Sequence, residues 1–254
     1  VNELLPTNVA WLVKPFFSMV ERYTFDQAKR INLVSRGFSG YFQKRYPSAD
    51  LRWFTNGIDS EFLSGLPTLT SSGSGRSKLT VLYAGNIGDG QGLHNIVPQL
   101  AKKLDLRVNF RLLGDGGRKS LLQSKINTIP NVVLLPPVSR AELIREYQDA
   151  DILFLHLNDF EAFRKVLPSK IFEYAALGKP IWAGVAGFPA TFLQKEVVNS
   201  VVFHPGNVEQ ALTCFDELDF FDIPRPEFVE KYDREKINTA MALDIVDLMN
   251  YGND

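Results

Sequence analysis

From residue 78 onward, short apolar runs alternate with stretches whose apolar positions recur at helical spacing. Runs near 79–84, 108–113, 132–135, 151–155, 180–183 and 200–203 read as strands, with helices between them. Segments such as VLYA, FRLL, VVLL and ILFL are apolar on both faces or nearly so. Parallel strands read this way when helices cover both sides of their sheet. The pattern therefore predicts an α/β fold, a doubly wound parallel sheet. In such sheets ligands sit beyond the carboxyl ends of the strands, so the loops after each strand are where chemistry is expected.

Upstream the pattern changes. Val9, Trp11, Leu12, Phe16, Phe17, Val20, Tyr23 and Phe25 are spaced as a helix over 9–30, with a break expected near Pro15. A strand over 31–35, a helix over 36–46 and a strand over 50–55 closed by an Asn56-Gly57 turn follow, a β-α-β unit without preceding strands. Residues 64–77, SGLPTLTSSGSGRS, have the composition of a linker or long surface loop. The expected division is 1–60 as one unit, 61–77 as linker, 78–225 as the main domain and 226–254 as a terminal helix. That last helical run, 227–250, carries a partial apolar stripe of Phe228, Ile237, Met241, Ile245 and Met249.

With 254 residues, 45% of them hydrophobic, the chain can bury one large core or two smaller ones. The formal charge is -1 and both signs are mixed along the chain, which excludes the basic face that nucleic-acid binding demands. The single cysteine, Cys214, forbids an intramolecular disulfide, and no Cys/His cluster has metal-ligand spacing, so a reducing cytoplasm without a bound metal is expected. No apolar run is long enough for a bilayer span, and the start lacks a signal-peptide pattern.

Residues 166–183, VLPSKIFEYAALGKPIWA, concentrate the candidate chemistry. Pro168 suits the first position of a helix and Gly178 with Lys179-Pro180 suits its stop, giving a helix over roughly 168–177. Ile171, Phe172, Ala175 and Ala176 face a core, while Ser169, Lys170 and Glu173 lie on the polar side of the first turns. Such a start can hold an anion, and Glu173 one turn deeper can accept hydroxyl hydrogen bonds from a sugar or ribose. An ordinary amphipathic helix is the alternative reading of these residues.

The loop after the first main-domain strand, Gly85-Asn86-Ile87-Gly88-Asp89-Gly90-Gln91-Gly92, lets the backbone approach a phosphate. Its spacing is not the dinucleotide fingerprint and no acidic residue ends the second strand, which argues against NAD. Gly114-Asp115-Gly116-Gly117 is followed by Arg118-Lys119, either two cations near a diphosphate or a solvated helix start. In Pro136-Pro137-Val138-Ser139, Ser139 and Glu142 form a structural capping box. The fourth loop, 156–161, leads through Arg164 and Lys165 into the Pro168 segment. His94, His156 and His204 are scattered, so no triad is visible, although His156 ends a strand at the ligand edge.

Together FTNGID ahead of a linker, LTVLYAGNIG, FRLLGDGG, VVLLPPVSRAEL, DILFL and PSKIFEYAALGKPI resemble the C-terminal half of a GT-B glycosyltransferase, most closely family 4 in its bacterial surface-polysaccharide branch. The resemblance covers about residues 30–250, and the order of motifs is more specific than any one of them. It implies two Rossmann-like domains facing a cleft, with the nucleotide-sugar donor held by the C-terminal one. Residues 31–59 then correspond to the end of the N-terminal acceptor domain and 227–250 to the helix that crosses back. The earlier part of such a domain has no counterpart here, so an incomplete fragment that binds donor but turns over little is expected.

The family motif is a pair of glutamates separated by seven residues. Glu173 matches the second, the ribose contact, whereas Lys165 stands at the first, the sugar contact. The resemblance further implies diphosphate contacts from Lys170, Gly85, Asn86, Gly88 and the Gly114–Gly116 loop, a base contact at Val138, and Pro168 and Ser169 beside the donor. The basic residue usual in the first loop is replaced by Asp89 and Gln91, with Arg118 expected to compensate.

The implied reaction is retaining transfer from a nucleoside-diphosphate sugar, UDP-linked by preference, to a lipid-linked or saccharide acceptor, without a metal or other cofactor. Lys165, Lys170 and Arg118 would neutralise the departing diphosphate while Glu173 fixes the ribose. Two other readings stay open: a non-catalytic sugar-nucleotide-binding or assembly domain, and a nucleotide-sugar 2-epimerase, whose acid-base set is not found. Trp11, Phe16 and Phe17 suggest either peripheral contact at the inner face of the membrane or packing on an absent domain, the latter implying self-association.

Overall fold

The computed structural model describes residues 7–63 and 77–250. The linker expected at 64–77 therefore lies outside the described residues except for Ser77, and so do the side chains of Val9, Trp11 and Leu12.

The main domain is a six-stranded parallel sheet of β3 (Leu79–Ala84), β4 (Val108–Leu113), β5 (Val132–Leu135), β6 (Ile152–His156), β7 (Ile181–Gly184) and β8 (Ser200–Phe203), in the order β5-β4-β3-β6-β7-β8. The bounds expected from apolar runs agree to within a residue. Because side chains alternate across a strand, one face receives Val81, Tyr83, Phe110, Leu112, Phe154, Trp182 and Phe203. Helices α4 (Leu93–Lys103), α5 (Lys119–Ile126) and α9 (Val208–Phe215) cover that face. Trp182, fully buried, packs edge-on to Phe154 at 5.2 Å and Phe215 at 5.0 Å and donates its indole N–H to the Ala211 carbonyl at 3.1 Å. Truncating such an anchor costs about 3–5 kcal/mol.

The opposite face receives Leu82, Ala84, Leu113, Leu153, Leu155, Ile181 and Ala183 under α6 (Arg140–Asp149), α7 (Lys170–Ala176), α8 (Phe188–Glu196) and α10 (Pro226–Lys231). Both faces being covered explains why these strands are apolar over most of their length. The Ser139–Glu142 capping box forms as expected, with Glu142 N–H donating to Ser139 Oγ and Ser139 N–H to Glu142 Oε2. Strand order reverses at β3 and β6, so the crevice of this sheet opens beyond Ala84 and His156.

The N-terminal unit departs from expectation in detail. Helix α1 (Thr7–Phe25) runs without interruption through Pro15, a residue whose missing N–H removes one ladder bond without ending the helix here. The strands shorten to β1 (Arg30–Asn32) and β2 (Asp50–Arg52), parallel and paired through Ile31 and Leu51. The intervening helix is one 3-10 turn, Arg36–Phe38, followed by α2 (Ser39–Arg45). Asn56-Gly57 is not a turn: the chain there leads into a bridge between Ile58 and Asp233, and a Cβ on Gly57 would lie 2.7 Å from Arg234 Cα. A short helix, α3 (Ser60–Leu63), then buries Phe62.

The same bridge splits the single terminal helix expected over 227–250 into α10 and α11 (Arg234–Asn250). Phe228 enters the core, whereas Ile245 and Met249 are exposed. Helix α11 reaches the two-stranded sheet, where Asp244 pairs with Arg30 at 2.9 Å and Arg52 at 3.2 Å. Among the described residues no helix is long and apolar enough to cross a membrane.

Candidate functional site

The loops after β3 and β4 lock together at the crevice. Gly85 N–H donates to the Leu113 carbonyl at 2.8 Å, Ile87 N–H to Asp115 at 2.8 Å, and Arg118 N–H back to Ile87 at 2.9 Å. A Cβ on Gly114, where φ is +149°, would lie 1.8 Å from the Gly85 carbonyl oxygen, so glycine is required for the loops to meet at all. The Gly114–Gly116 loop is thus the floor that shapes the first loop. Asn86 is held within that loop: its carbonyl accepts from the Tyr83 hydroxyl at 2.6 Å, and its amide donates to Gln91 Oε1 at 2.9 Å. Gly88 N–H donates to the same Gln91 oxygen at 3.2 Å.

Lys170 lies across this floor. A Cβ on Gly85 would meet its Cε at 2.5 Å and its Nζ at 3.0 Å, which places the ammonium over the first loop. The side chain is half-buried and makes no hydrogen bond or ion pair among the described residues. Burial pulls its pKa down, opposed by the Glu173 carboxylate nearby. Glu173, half-buried on the same helix, accepts from the Tyr147 hydroxyl at 3.1 Å. Helix α7 begins at Lys170 after Ser169, although Ile171 N–H still reaches the Pro168 carbonyl at 3.1 Å, so the first turn is wound back to Pro168. Pro168 itself therefore precedes the helix instead of opening it.

Two expected cations are engaged elsewhere. Arg118 forms an ion pair with Asp89, joining the second loop to the first, and this bond holds the Asp89 carboxyl below its usual range. The Lys165 ammonium contacts Glu161 at 2.7 Å, and its carbonyl accepts from the Ser35 hydroxyl at 2.5 Å. Lys165 borders a cavity of about 550 Å³ shared with Phe17, Phe25, Tyr41 and Arg45, a lining that includes neither Lys170 nor Glu173. The structure thus brings Lys170, Glu173, Gly85, Asn86 and Gly88 together but not Lys165. Val138 is half-buried beyond β5 and packs on the core under α6.

His156 is a structural clamp. Its Nδ1–H donates to the Gln91 carbonyl at 2.6 Å and its Nε2 accepts from Gly206 N–H at 3.0 Å. That arrangement needs the neutral ring, and burial pushes its pKa down to about 4. His204 faces Asp159 at 3.2 Å. Among the described residues no three His, Cys, Asp or Glu side chains converge as metal ligands would.

The family model for glycosyl transferases group 1 matches residues 78–218, the whole six-stranded sheet and the crevice just described. The chain belongs to this family. Its fold is correspondingly that of GT-B glycosyltransferases. Sucrose-phosphate synthase from Thermosynechococcus elongatus superposes with a TM-score of 0.69 at 15% identity, over 92% of this chain and 61% of that one. A glycosyltransferase from Rickettsia africae gives 0.67 at 13% identity, over 95% and 66%. A pneumococcal O-GlcNAc transferase, solved with UDP and GlcNAc, gives 0.62 at 13% identity, over 88% and 46%. The chain thus spans less than two thirds of the length of each of these structures. No curated protein sequence matches it significantly.

One residue beside Glu173 carries no signal in the sequence. Tyr147, 26 residues ahead of Glu173, occupies an apolar position of α6 and reads as core. No local signal announces that its hydroxyl meets a carboxylate on another helix.

Proposed function

We propose that this group 1 chain serves retaining transfer from a nucleoside-diphosphate sugar, with UDP as the nucleotide, to a saccharide or lipid-linked acceptor in cell-surface polysaccharide synthesis at the cytoplasmic face of the membrane. The observation that carries the reading is Lys170, a half-buried ammonium that makes no hydrogen bond or ion pair among the described residues, lying over the Gly85 loop one turn from Glu173. A cation held so far out of water is stabilised by an anion brought to it, and a diphosphate fits between the glycine loop and α7. Glu173 then meets the ribose hydroxyls and Val138 borders the base. The pneumococcal transferase and the Staphylococcus aureus TarM structure, both solved with UDP, share this fold and favour that nucleotide.

In the reaction the bond between the anomeric carbon and the diphosphate oxygen breaks as the acceptor oxygen bonds to the same face. The acceptor proton passes to the departing phosphate, whose charge Lys170 offsets. Arg118 contributes after releasing Asp89, since both are exposed and solvent can replace their pairing.

Calorimetric titration with UDP, GDP and ADP tests the donor site. Saturable UDP binding is expected, weakened roughly 10- to 100-fold by Lys170→Met and by Glu173→Ala, the loss of one charge-assisted bond each. Binding of none of the three by a folded chain refutes the reading.

A further inference from the structure

The Tyr147–Glu173 contact joins two helices that sequence keeps apart, and it has a consequence for ligand selection. Glu173 has three rotatable side-chain bonds and stands half-exposed at the crevice, so alone it would sample several rotamers. Tyr147 is fully buried, its ring stacked on Phe62 at 6.1 Å and set edge-on to Tyr174 at 5.2 Å. Tyr174, also fully buried, donates its hydroxyl to the Phe154 carbonyl of β6 at 3.5 Å. The packed rings therefore fix the Tyr147 hydroxyl relative to the sheet, and that hydroxyl grips Glu173 Oε2 at 3.1 Å. Burial, with the Tyr174 and Glu173 neighbours, raises the Tyr147 pKa, which keeps the group a donor. Glu173 Oε1 has no hydrogen bond among the described residues.

We propose that Tyr147 is a positioning residue: by holding Oε2 it presents Oε1 of Glu173 to a vicinal diol, and so selects ribonucleotides over nucleotides lacking the ribose hydroxyls. This rests on the donor-site reading above and adds to it a residue that acts only through another. The hydroxyl needs no contact with the ligand. Its effect is confined to the part of the ligand that Glu173 meets, which a role in packing alone would not be.

Tyr147→Phe keeps the ring and deletes the donor, and UDP is compared with its 2′,3′-dideoxy analogue by calorimetry. Expected is an approximately five- to tenfold weaker UDP affinity, the size of one ordinary hydrogen bond because Tyr147 acts on the ligand only through Glu173, with dideoxy-UDP affinity unchanged. In the Glu173→Ala background Tyr147→Phe should have no further effect. Equal weakening of both ligands, full additivity with Glu173→Ala, or unchanged UDP affinity would overturn the proposal while leaving the donor site standing. If the unsubstituted chain binds no nucleotide, the donor-site reading fails and this one with it. Should Tyr147→Phe unfold, the fluorine resonance of 3-fluorotyrosine at position 147 decides: UDP should move it and dideoxy-UDP should not, and an unmoved resonance at UDP saturation overturns the proposal.

Discussion

Acid should weaken this protein in good part through the ring of His156. In the folded state His156 uses Nδ1 as donor to Gln91 and Nε2 as acceptor from Gly206, so a second proton has to displace the Gly206 N–H and bury a charge. Its pKa falls from 6.5 to about 4. At about 1.4 kcal/mol per tenfold change in proton affinity, the native form resists that proton by roughly 3 kcal/mol relative to the unfolded chain. The unfolded chain takes up the proton as pH drops through 6.5, while the folded one holds out until about 4. Stability linked to His156 is thus complete above 6.5, declines across that window and is gone below it. His156→Phe keeps a ring against Phe154 and Phe203, 6.3 and 6.0 Å away, and abolishes the titration. Urea unfolding followed by the fluorescence of buried Trp182 measures both proteins across the window. The gap between them should shrink by about 3 kcal/mol from neutral to acid pH. A gap that stays constant would refute the assignment of His156 as a neutral clamp between the loop after β3 and the turn before α9.

Three further outcomes follow from packing. Arg225, buried, donates to the carbonyls of Val198, Ala175, Lys179 and Asn199. Arg225→Met orphans them and should cost about 3–5 kcal/mol in urea unfolding, and a loss under about 1 kcal/mol would show that water replaces the guanidinium. Gly114→Ala pushes a methyl into the Gly85 carbonyl, so both stability, by about 2–4 kcal/mol, and UDP affinity should fall. Retention of both would mean that the loops part easily. The exposed Phe16, Phe17, Met19 and Tyr23 side of α1 is expected to drive self-association, which Phe17→Ser with Tyr23→Ser should suppress in sedimentation. A chain that is monomeric at every concentration would remove that expectation.

By itself the sequence determined the main sheet. Six short runs, apolar on both faces or nearly so, announce parallel strands under helices because that packing tolerates them, and no distant contact is needed to read it. It also located the crevice loops and Glu173, since glycine runs and a short helix with a polar first turn are local features. Tertiary structure decided what those residues do. Lys165 and Arg118 looked like free cations until the fold placed Glu161 and Asp89 beside them. Gly114, expected beside the diphosphate, holds two loops in contact. Gly57 looked like a turn and proved to make room for α11. Tyr147, a buried position of α6, proved to hold the carboxylate. Each of these roles depends on an atom brought in from a distant segment or a neighbouring turn. Periodicity reports which face of an element is buried, and it carries no information on which polar partner waits there.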